Sequence, residues 1–253
     1  MVKEKAFYEA CNIILGKEDT NTGIGTLGEK TLHAILKYYF EPNSDYHETR
    51  YCGFVADIAY EGQVIEIQTR GFDKLRRKLD KFLEQGSVRV VYPVAYEKYL
   101  EWIDEETGAI SKKRKSPKKG TPYEAFFELY KIKSYLVHPN LKLSIVLLNI
   151  EEQRLLNGWS QDKKRGSHRY ERIPTKLVDQ IDINNTREFR KLIPEGIEEP
   201  FSTKTYKEAT KLSIGQARTA LHVLHYVGAI EKVGKKGNLI LYQIAGDERK
   251  ETI

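Results

Sequence analysis

Two short runs of alternating residues, separated by a turn, constrain the fold of this chain more than any other feature. Residues 54–60 and 63–70 are rich in β-branched and apolar side chains, and Glu61-Gly62 lies between them. Such a pattern predicts a β-hairpin with a two-residue turn. The turn also sets the register, because Tyr60 then lies opposite Gln63 and every further pair follows from this one.

The predicted register places two carboxylates opposite each other. Asp57 pairs with Glu66, and both side chains leave the face of the hairpin that also carries Gln68. The other face is apolar and carries Ile58, Ile65 and Ile67. Like charges on directly opposed residues destabilise a sheet, and a divalent cation such as Mg²⁺ would offset the repulsion. Solvation of both carboxylates on an exposed face is the alternative.

This pattern resembles the signature of the PD-(D/E)XK nuclease superfamily, in which a β-hairpin presents an Asp and then Glu-x-Lys. Here Asp57 is followed, after a gap of eight residues, by Glu66-Ile67-Gln68. Gln68 stands where the superfamily usually has Lys, and certain restriction endonucleases have Gln there. The resemblance covers about residues 20–150. It implies that Asp57 and Glu66 bind Mg²⁺ or Mn²⁺, with the backbone carbonyl of Ile67 as a third ligand, and that Gln68 orients the attacking water.

In the superfamily, a Glu from the helix before the hairpin often joins the catalytic residues. The resemblance therefore implies a catalytic role for Glu29. This residue lies near the start of a helix predicted over residues 26–40. A favourable interaction with the helix dipole explains an acid there equally well. The glycines at positions 23, 25 and 28 match a dinucleotide-binding pattern, but no strand precedes them, and we reject that interpretation.

The hydrophobic periodicity predicts an α/β fold with a mixed central sheet flanked by helices. The predicted helices span residues 4–16, 26–40, 72–85 and 123–137, and the predicted strands outside the hairpin span residues 46–52, 88–95 and 141–150. This order of elements resembles the restriction-endonuclease-like core. We assign residues 1–155 to a nuclease-like domain.

A basic run follows a second predicted hairpin, whose arms span residues 99–104 and 109–112. Six of the ten residues 111–120 are cationic and none is acidic. Contiguous like charges repel one another, which favours contact with a polyanion. We therefore predict nucleic-acid contacts from this run and from the cation at the end of the first hairpin: Arg70, Lys112, Lys113, Arg114, Lys115, Lys118 and Lys119.

Residues 156–195 are predicted to form a basic linker with short helices at residues 175–181 and 186–192. Residues 159–172 interleave cations with Trp159, His168 and Tyr170. Such a segment can stack on bases and pair with phosphates, and a bridging loop pinned by one Trp is the alternative.

Residues 196–253 carry the signals of a small separate domain. Ser202 and Ser213 are predicted to cap two helices, which two strands and a glycine-containing turn follow. This order resembles a winged-helix domain, which implies that the second helix enters a DNA major groove. The residues expected to contact nucleic acid are Gln216, Arg218, Thr219, His222, Lys235 and Lys236. Winged helices also serve as protein-docking modules, and that alternative stays open.

The composition permits these functions without demanding them. The net charge of +6 is mildly basic, and the two cysteines form no Cys-x-x-Cys pair, which fits a reducing cytoplasm. No apolar run approaches the length of a membrane span, so we expect a soluble cytoplasmic protein without a membrane partner.

Taken together, these features favour a metal-dependent DNA endonuclease, which hydrolyses phosphodiesters and is targeted by a winged helix. The alternative is a DNA-binding regulatory or structural protein whose nuclease-like domain is catalytically inactive, because Gln68 replaces the usual Lys. An RNA substrate and a homodimer that cuts both strands are further alternatives left open.

Overall fold

The structure is a computed structural model, and it describes residues 2–18, 31–104, 106–159 and 165–246. Glu29, the glycine-containing segment 23–28 and the first part of the helix predicted from residue 26 lie outside the described residues. Among the residues that are described, no helix has both the length and the apolar character needed to cross a membrane.

The predicted mixed α/β fold is confirmed. Within the described residues, seven strands form a central sheet in the order β1-β2-β3-β4-β6-β7, with β5 paired to β4. The pairs β3/β4 and β4/β6 are parallel and the others are antiparallel. The strands are β1 His47–Tyr51, β2 Phe54–Tyr60, β3 Gln63–Ile67, β4 Ser87–Ile103, β5 Arg114–Lys115, β6 Leu141–Trp159 and β7 Arg165–Ile183.

The predicted hairpin register is also confirmed. Ile58 lies opposite Ile65, and Tyr60 lies opposite Gln63. Glu61 and Gly62, the two residues of the turn, both have positive φ, at 45° and 73°. This is the type I′ geometry, whose twist matches that of the flanking strands and therefore holds the register.

Helices cover both faces of the central sheet. One face packs on α1 Val2–Glu18 and α2 Thr31–Phe40, through a cluster that includes Ile35, Ile58, Ile65 and Ile67. The opposite face packs on α3 Arg76–Gln85 and α4 Ala125–Leu129. The segment predicted as one helix over residues 123–137 contains α4 between two 3₁₀ turns, Pro122–Glu124 and Tyr130–Tyr135.

Three strands continue well beyond the end of their neighbours. β4, β6 and β7 contain 17, 19 and 19 residues, whereas β3 ends at Ile67, opposite Val91 of β4. We call the outer part of these three strands the strand extension, which comprises residues 96–103, 149–159 and 165–176. There β5 lies beside β4, since Tyr99 pairs with Lys115.

The prediction of a linker with two helices over residues 156–195 is wrong in its first half. Residues 175–181 belong to β7, which pairs with β6 along its length, and the second predicted helix is a 3₁₀ helix, Thr186–Leu192. The side chains of Leu177 and Ile183 are buried against the sheet. Strand pairing and this burial override a local pattern that suggested a helix.

The C-terminal part forms a smaller sheet, β8-β10-β9, with two helices. Its elements are β8 Phe201–Ser202, α5 Thr203–Thr210, α6 Ile214–Tyr226, β9 Ile230–Lys236 and β10 Leu239–Ile244. Ser202 and Ser213 cap α5 and α6, as predicted. This part shares its core with the first, because Tyr206 and Leu224 belong to the same buried cluster as Phe126. The buried Tyr206 hydroxyl also donates to the carbonyl of Leu192 at 2.8 Å.

We expect Gly86→Ala to destabilise the fold. An added Cβ would lie 2.0 Å from the carbonyl oxygen of Gly62, which accepts the backbone hydrogen bond from Ser87. Relief of this overlap requires a backbone shift and lowers the free energy of unfolding by about 2 kcal/mol or more. Chemical denaturation measures the change.

The matched control is Gly16→Ala on α1, where an added Cβ meets no atom within 4 Å. This variant gains helix propensity and should be more stable by about 0.5 kcal/mol. Equal stability of the Gly86 variant and the wild-type protein would contradict the close approach of these two turns.

Candidate functional site

The two carboxylates predicted from the hairpin meet at the carboxyl end of β3. Asp57 lies on β2 and Glu66 on β3, one pair beyond the last regular pair of the ladder, Ile58 with Ile65. Asp57 Oδ2 accepts a hydrogen bond of 2.7 Å from the backbone N–H of Ile67. The Asp57 side chain thereby binds the end of β3, and the three groups expected to bind a metal are close together.

Glu66 is buried and forms an ion pair with a lysine on the helix above it. Its exposed fraction is 2 %, and Lys78 Nζ of α3 lies 3.0 and 2.8 Å from its two carboxylate oxygens. Burial, together with repulsion from Asp57, raises the pKa of Glu66 to about 7, although the hydrogen bond and charge of Lys78 act in the opposite direction. Glu66 can therefore exchange a proton near neutral pH.

A histidine from the opposite side of the sheet contacts Asp57. The Nε2 atom of His33, on α2, lies 3.2 Å from Asp57 Oδ2 and 3.1 Å from the carbonyl oxygen of Ile67. A proton on Nε2 would serve both acceptors. His33 thus lies between two of the three groups that the nuclease resemblance implies as metal ligands.

The side chain of Gln68 is engaged elsewhere. Its Nε2 donates a hydrogen bond of 2.6 Å to the carbonyl oxygen of Arg70, and Arg70 itself is exposed. The nitrogen that contacts Glu66 is therefore that of Lys78.

Sequence reasoning missed His33 and Lys78 as site residues. His33 lies four positions after Glu29 on the predicted helix, which was the one signal available for it. Lys78 belongs to the basic face of the helix predicted over residues 72–85, which is usually a solvated surface.

The described donors suit a hard cation, but they form a sparse set. Among the described residues, no group of three or more His, Cys, Asp or Glu side chains could hold a metal ion. The available oxygens belong to Asp57, Glu66 and the carbonyl of Ile67, and such donors are those that Mg²⁺ and Mn²⁺ prefer. Glu29, for which the resemblance implies a catalytic role, lies outside the described residues.

The basic run of residues 111–120 finds acidic partners within the chain. Lys113 Nζ lies 2.7 Å from Glu151, and Lys115 Nζ lies 2.8 Å from Glu97. Two further lysines are engaged by Glu124, 3.2 Å from Lys118, and by the ring of Tyr96, 4.2 Å from Lys119. The repulsion that motivated the predicted nucleic-acid contact is thus largely relieved, whereas Lys112 and Arg114 form no ion pair with a described residue. The contact itself stays a prediction.

A cationic cavity of about 460 Å³ lies in the C-terminal part, between α5, α6 and the β9–β10 hairpin. No carboxylate of a described residue lines it. Its polar lining comes from Lys204, Arg218, His222, His225, Lys232 and Asn238. Lys204, Arg218 and Lys232 form no ion pair with another described residue, so their positive charge remains available to an anionic ligand.

The residues predicted on the second helix and the following turn have different surroundings. Arg218 and His222 line the cavity. Gln216 serves the helix cap, since its side-chain oxygen accepts from the N–H of Ser213 at 3.0 Å. Thr219 donates its hydroxyl to the carbonyl of Gly215 at 3.1 Å. The remaining two, Lys235 and Lys236, are exposed on β9 outside the cavity lining.

His222 is held in its neutral form. Its Nε2 accepts from Lys133 Nζ at 2.8 Å, and burial together with the charges of Lys133 and Lys232 lowers its pKa. His222 therefore presents a hydrogen-bonding group to the cavity rather than a charge.

The comparisons with known proteins give a family without an assigned activity. Residues 30–184 match a family profile described as Domain of unknown function (DUF8091). An uncharacterized protein of Treponema pallidum (strain Nichols) is 29% identical over 237 residues, which cover 89% of this chain and 90% of the relative. No solved structure matches. The family region spans α2 to β7 and includes Asp57, Glu66 and the strand extension.

We expect Glu66 to make stability decrease as the pH rises. Its pKa is about 7 in the folded protein, above the ordinary value of 4.5, so the folded state binds the proton more tightly. This contribution is fully present below about pH 4.5 and is lost as the pH rises through about 7. Glu66→Gln lacks it, so the free energy of unfolding of the variant minus that of the wild type should increase by about 2 kcal/mol between pH 5 and pH 8.

Urea denaturation at the two pH values measures this difference. Glu61→Gln, in the exposed hairpin turn, is the control and should follow the wild type. A Glu66 variant whose pH dependence equals that of the wild type would contradict the assigned environment.

Proposed function

The chain belongs to the family described as Domain of unknown function (DUF8091), and we propose that it is a metal-dependent DNA endonuclease with its active site at Asp57 and Glu66. One observation carries the proposal: two carboxylates from adjacent strands converge at the end of β3, and one of them is buried beside a lysine. Burial of a carboxylate is unfavourable unless another group compensates it, so such an arrangement favours function over chance. The spacing of these residues also resembles the PD-(D/E)XK signature.

Asp57, Glu66 and the carbonyl of Ile67 would hold the Mg²⁺ or Mn²⁺ ion. When bound, the ion would polarise the phosphate and supply a nucleophilic water at neutral pH. Lys78 supplies the positive charge that Gln68 lacks, and its ammonium can stabilise negative charge that develops on the phosphoryl oxygens. His33 orients Asp57 and is the nearby group suited to transfer a proton.

The C-terminal part would direct the enzyme to DNA. The order of α5, α6, β9 and β10 resembles that of a winged helix, in which α6 would enter the major groove and the β9–β10 hairpin would form the wing. Three cations of the cavity, Lys204, Arg218 and Lys232, which form no ion pair with a described residue, would contact phosphates. This assignment rests on element order and charge.

A second candidate function is that of a DNA-binding regulatory or structural protein with an inactive nuclease-like domain. The favouring observation is that Lys78 and His33 already compensate Glu66 and Asp57 without a metal. The displaced side chain of Gln68 agrees with it. Both candidates bind DNA, so metal binding and cleavage separate them.

We expect Asp57→Asn to abolish cleavage. The substrates are plasmid, single-stranded and branched DNA together with RNA, incubated with Mg²⁺ or Mn²⁺ and, in parallel, with a chelator. Loss of one metal ligand should lower the cleavage rate at least about a hundredfold, while thermal unfolding stays close to that of the wild type. Asp45→Asn, in an exposed 3₁₀ turn, is the matched control. Equal cleavage by Asp57→Asn and the wild type would refute the assignment.

The second candidate gains if the wild type binds DNA, cuts none of these substrates and gives no heat of Mg²⁺ or Mn²⁺ binding in calorimetry. RNA cleavage that depends on Asp57 would keep the active site and change the substrate.

We expect Lys78→Met to lower kcat about a hundredfold with a small change in KM, since the lost charge acts in the transition state. Single-turnover cleavage at saturating DNA measures the chemical step. Lys81→Met, on the same helix and paired with Glu84, is the control. A variant with wild-type kcat would reduce Lys78 to a structural partner of Glu66.

A further inference from the structure

The two faces of the strand extension differ in charge. On one face, Glu97 and Glu101 of β4 and Glu151 of β6 project toward the basic run. Lys113 contacts Glu101 and Glu151, and Lys115 contacts Glu97. The acids of this face are therefore paired with lysines of the basic run.

The other face concentrates positive charge around one buried carboxylate. We call this group the extension cluster: Lys98, Glu152, Arg154, Arg169 and Arg172. The side chain of Glu152 is 0 % exposed, and its oxygens lie 2.6 Å from Arg154, 3.3 Å from Arg169 and 3.9 Å from Lys98. Arg172 lies opposite Glu152 in the β6–β7 register. Four cations therefore face one carboxylate.

Glu171, next to Arg172 in the chain, does not neutralise the excess positive charge. Glu171 Oε1 accepts hydrogen bonds from the backbone N–H groups of Thr31 and Arg172. Its charge is thus directed to the backbone, and the guanidinium of Arg172 receives no carboxylate from it.

Arg172 of the extension cluster has a buried donor that lacks an acceptor. Its guanidinium forms no hydrogen bond with a described residue, and its Nε atom is buried. Burial and the charge of Arg169 lower its pKa. Buried Nε–H donors without acceptors are unfavourable, and so is a cation held among cations. Glu152 Oε2 also forms no hydrogen bond with a described residue, although Arg169 and Lys98 lie 3.3 and 3.9 Å from it.

An anion with several acceptor oxygens would supply the acceptors that the Arg172 guanidinium lacks and would offset the excess positive charge. Three guanidinium groups offer planar pairs of N–H donors that match a phosphate, and Lys98 adds a point charge. A single carboxylate ligand would leave most of the donors and most of the charge uncompensated.

We propose that the extension cluster binds a phosphate group through Arg172, Arg169, Arg154 and Lys98. The phosphate belongs to a DNA backbone or to a free phosphate or nucleotide. The first source rests on the proposed function, because the strand extension continues the sheet on which Asp57 lies. The second source does not depend on it.

The first assay tests phosphate alone. The full chain is unfolded thermally in phosphate and in chloride of equal ionic strength. Phosphate should raise the midpoint of the wild type, and the rise should be clearly smaller for Arg172→Gln, in which only the cavity between α5, α6 and the β9–β10 hairpin and the general stabilising effect of phosphate remain. Without phosphate, Arg172→Gln should unfold at the wild-type temperature or above it, because a buried unpaired charge is removed. Lys113→Gln, on the opposite face of the strand extension, should respond to phosphate as the wild type does.

The second assay measures binding of a labelled DNA duplex by fluorescence anisotropy in chelator, where cleavage does not contribute. For a backbone phosphate, Arg172→Gln should bind about tenfold more weakly, and the slope of log affinity against log salt should fall by about one. Asp45→Asn, in an exposed 3₁₀ turn, should bind as the wild type does. Because this assay measures binding without metal or cleavage, its outcome is distinguished from failure of the nuclease proposal. A change confined to the first assay identifies a free phosphate or nucleotide as the ligand.

The proposal is overturned if Arg172→Gln matches the wild type in both assays. It is also overturned if the variant is less stable without phosphate and responds to phosphate as strongly as the wild type, since Arg172 would then be a structural partner of Glu152. Both assays are repeated with Arg169→Gln. The Arg169 side chain is 45% exposed, so this substitution is less disruptive to the fold.

Discussion

Strand β3 lies between β2 and β4 in the central sheet, and α3 packs over the face that carries Glu66, so the Glu66 carboxylate is buried. A buried carboxylate beside a second one needs a compensating charge, and the chain supplies it from Lys78 of α3. On the other side of the sheet, His33 of α2 contacts Asp57. The helix layers on the two faces of the sheet thus each contribute one side-chain nitrogen, from Lys78 and from His33, to the carboxyl end of β3. The packing of the helices on the sheet therefore also places Lys78 and His33 beside the two carboxylates.

The parts of the fold that follow from local chemistry could be predicted from the sequence. Turn residues and alternation gave the hairpin register, which placed Asp57 opposite Glu66, and both capping serines were recognised. The strand nature of residues 175–181 depends on pairing with β6, which no local pattern reveals. His33 and Lys78 come from helices on opposite faces, so their sequence distance to Glu66 carries no information about proximity. The role expected for Gln68 stays a prediction, and the hydrogen bond of its amide to the carbonyl of Arg70 could not be read from the sequence.

The charged residues show the same difference between what a local sequence pattern predicts and what contacts between distant residues determine. The contiguous cations of residues 111–120 are conspicuous in the sequence, yet glutamates of β4, β6 and the Pro122–Glu124 turn neutralise several of them. The extension cluster draws its cations from three strands, and no two of them are adjacent in the chain. The register of the sheet brings together cations that are far apart in the sequence. Conversely, acids from other elements neutralise cations that are contiguous in the sequence.

The shared core between the central sheet and the C-terminal part has a geometric consequence. Tyr206 is buried in a cluster common to both and binds the carbonyl of Leu192, while Lys133 holds His222 of α6. A cationic cavity fixed in this way cannot swing on a tether relative to Asp57 and Glu66. If both regions contact one nucleic acid, the distance between the segment bound at the cavity and the segment bound at Asp57 and Glu66 is fixed. The packing of α6 on α4 sets this distance, and the length of a linker does not.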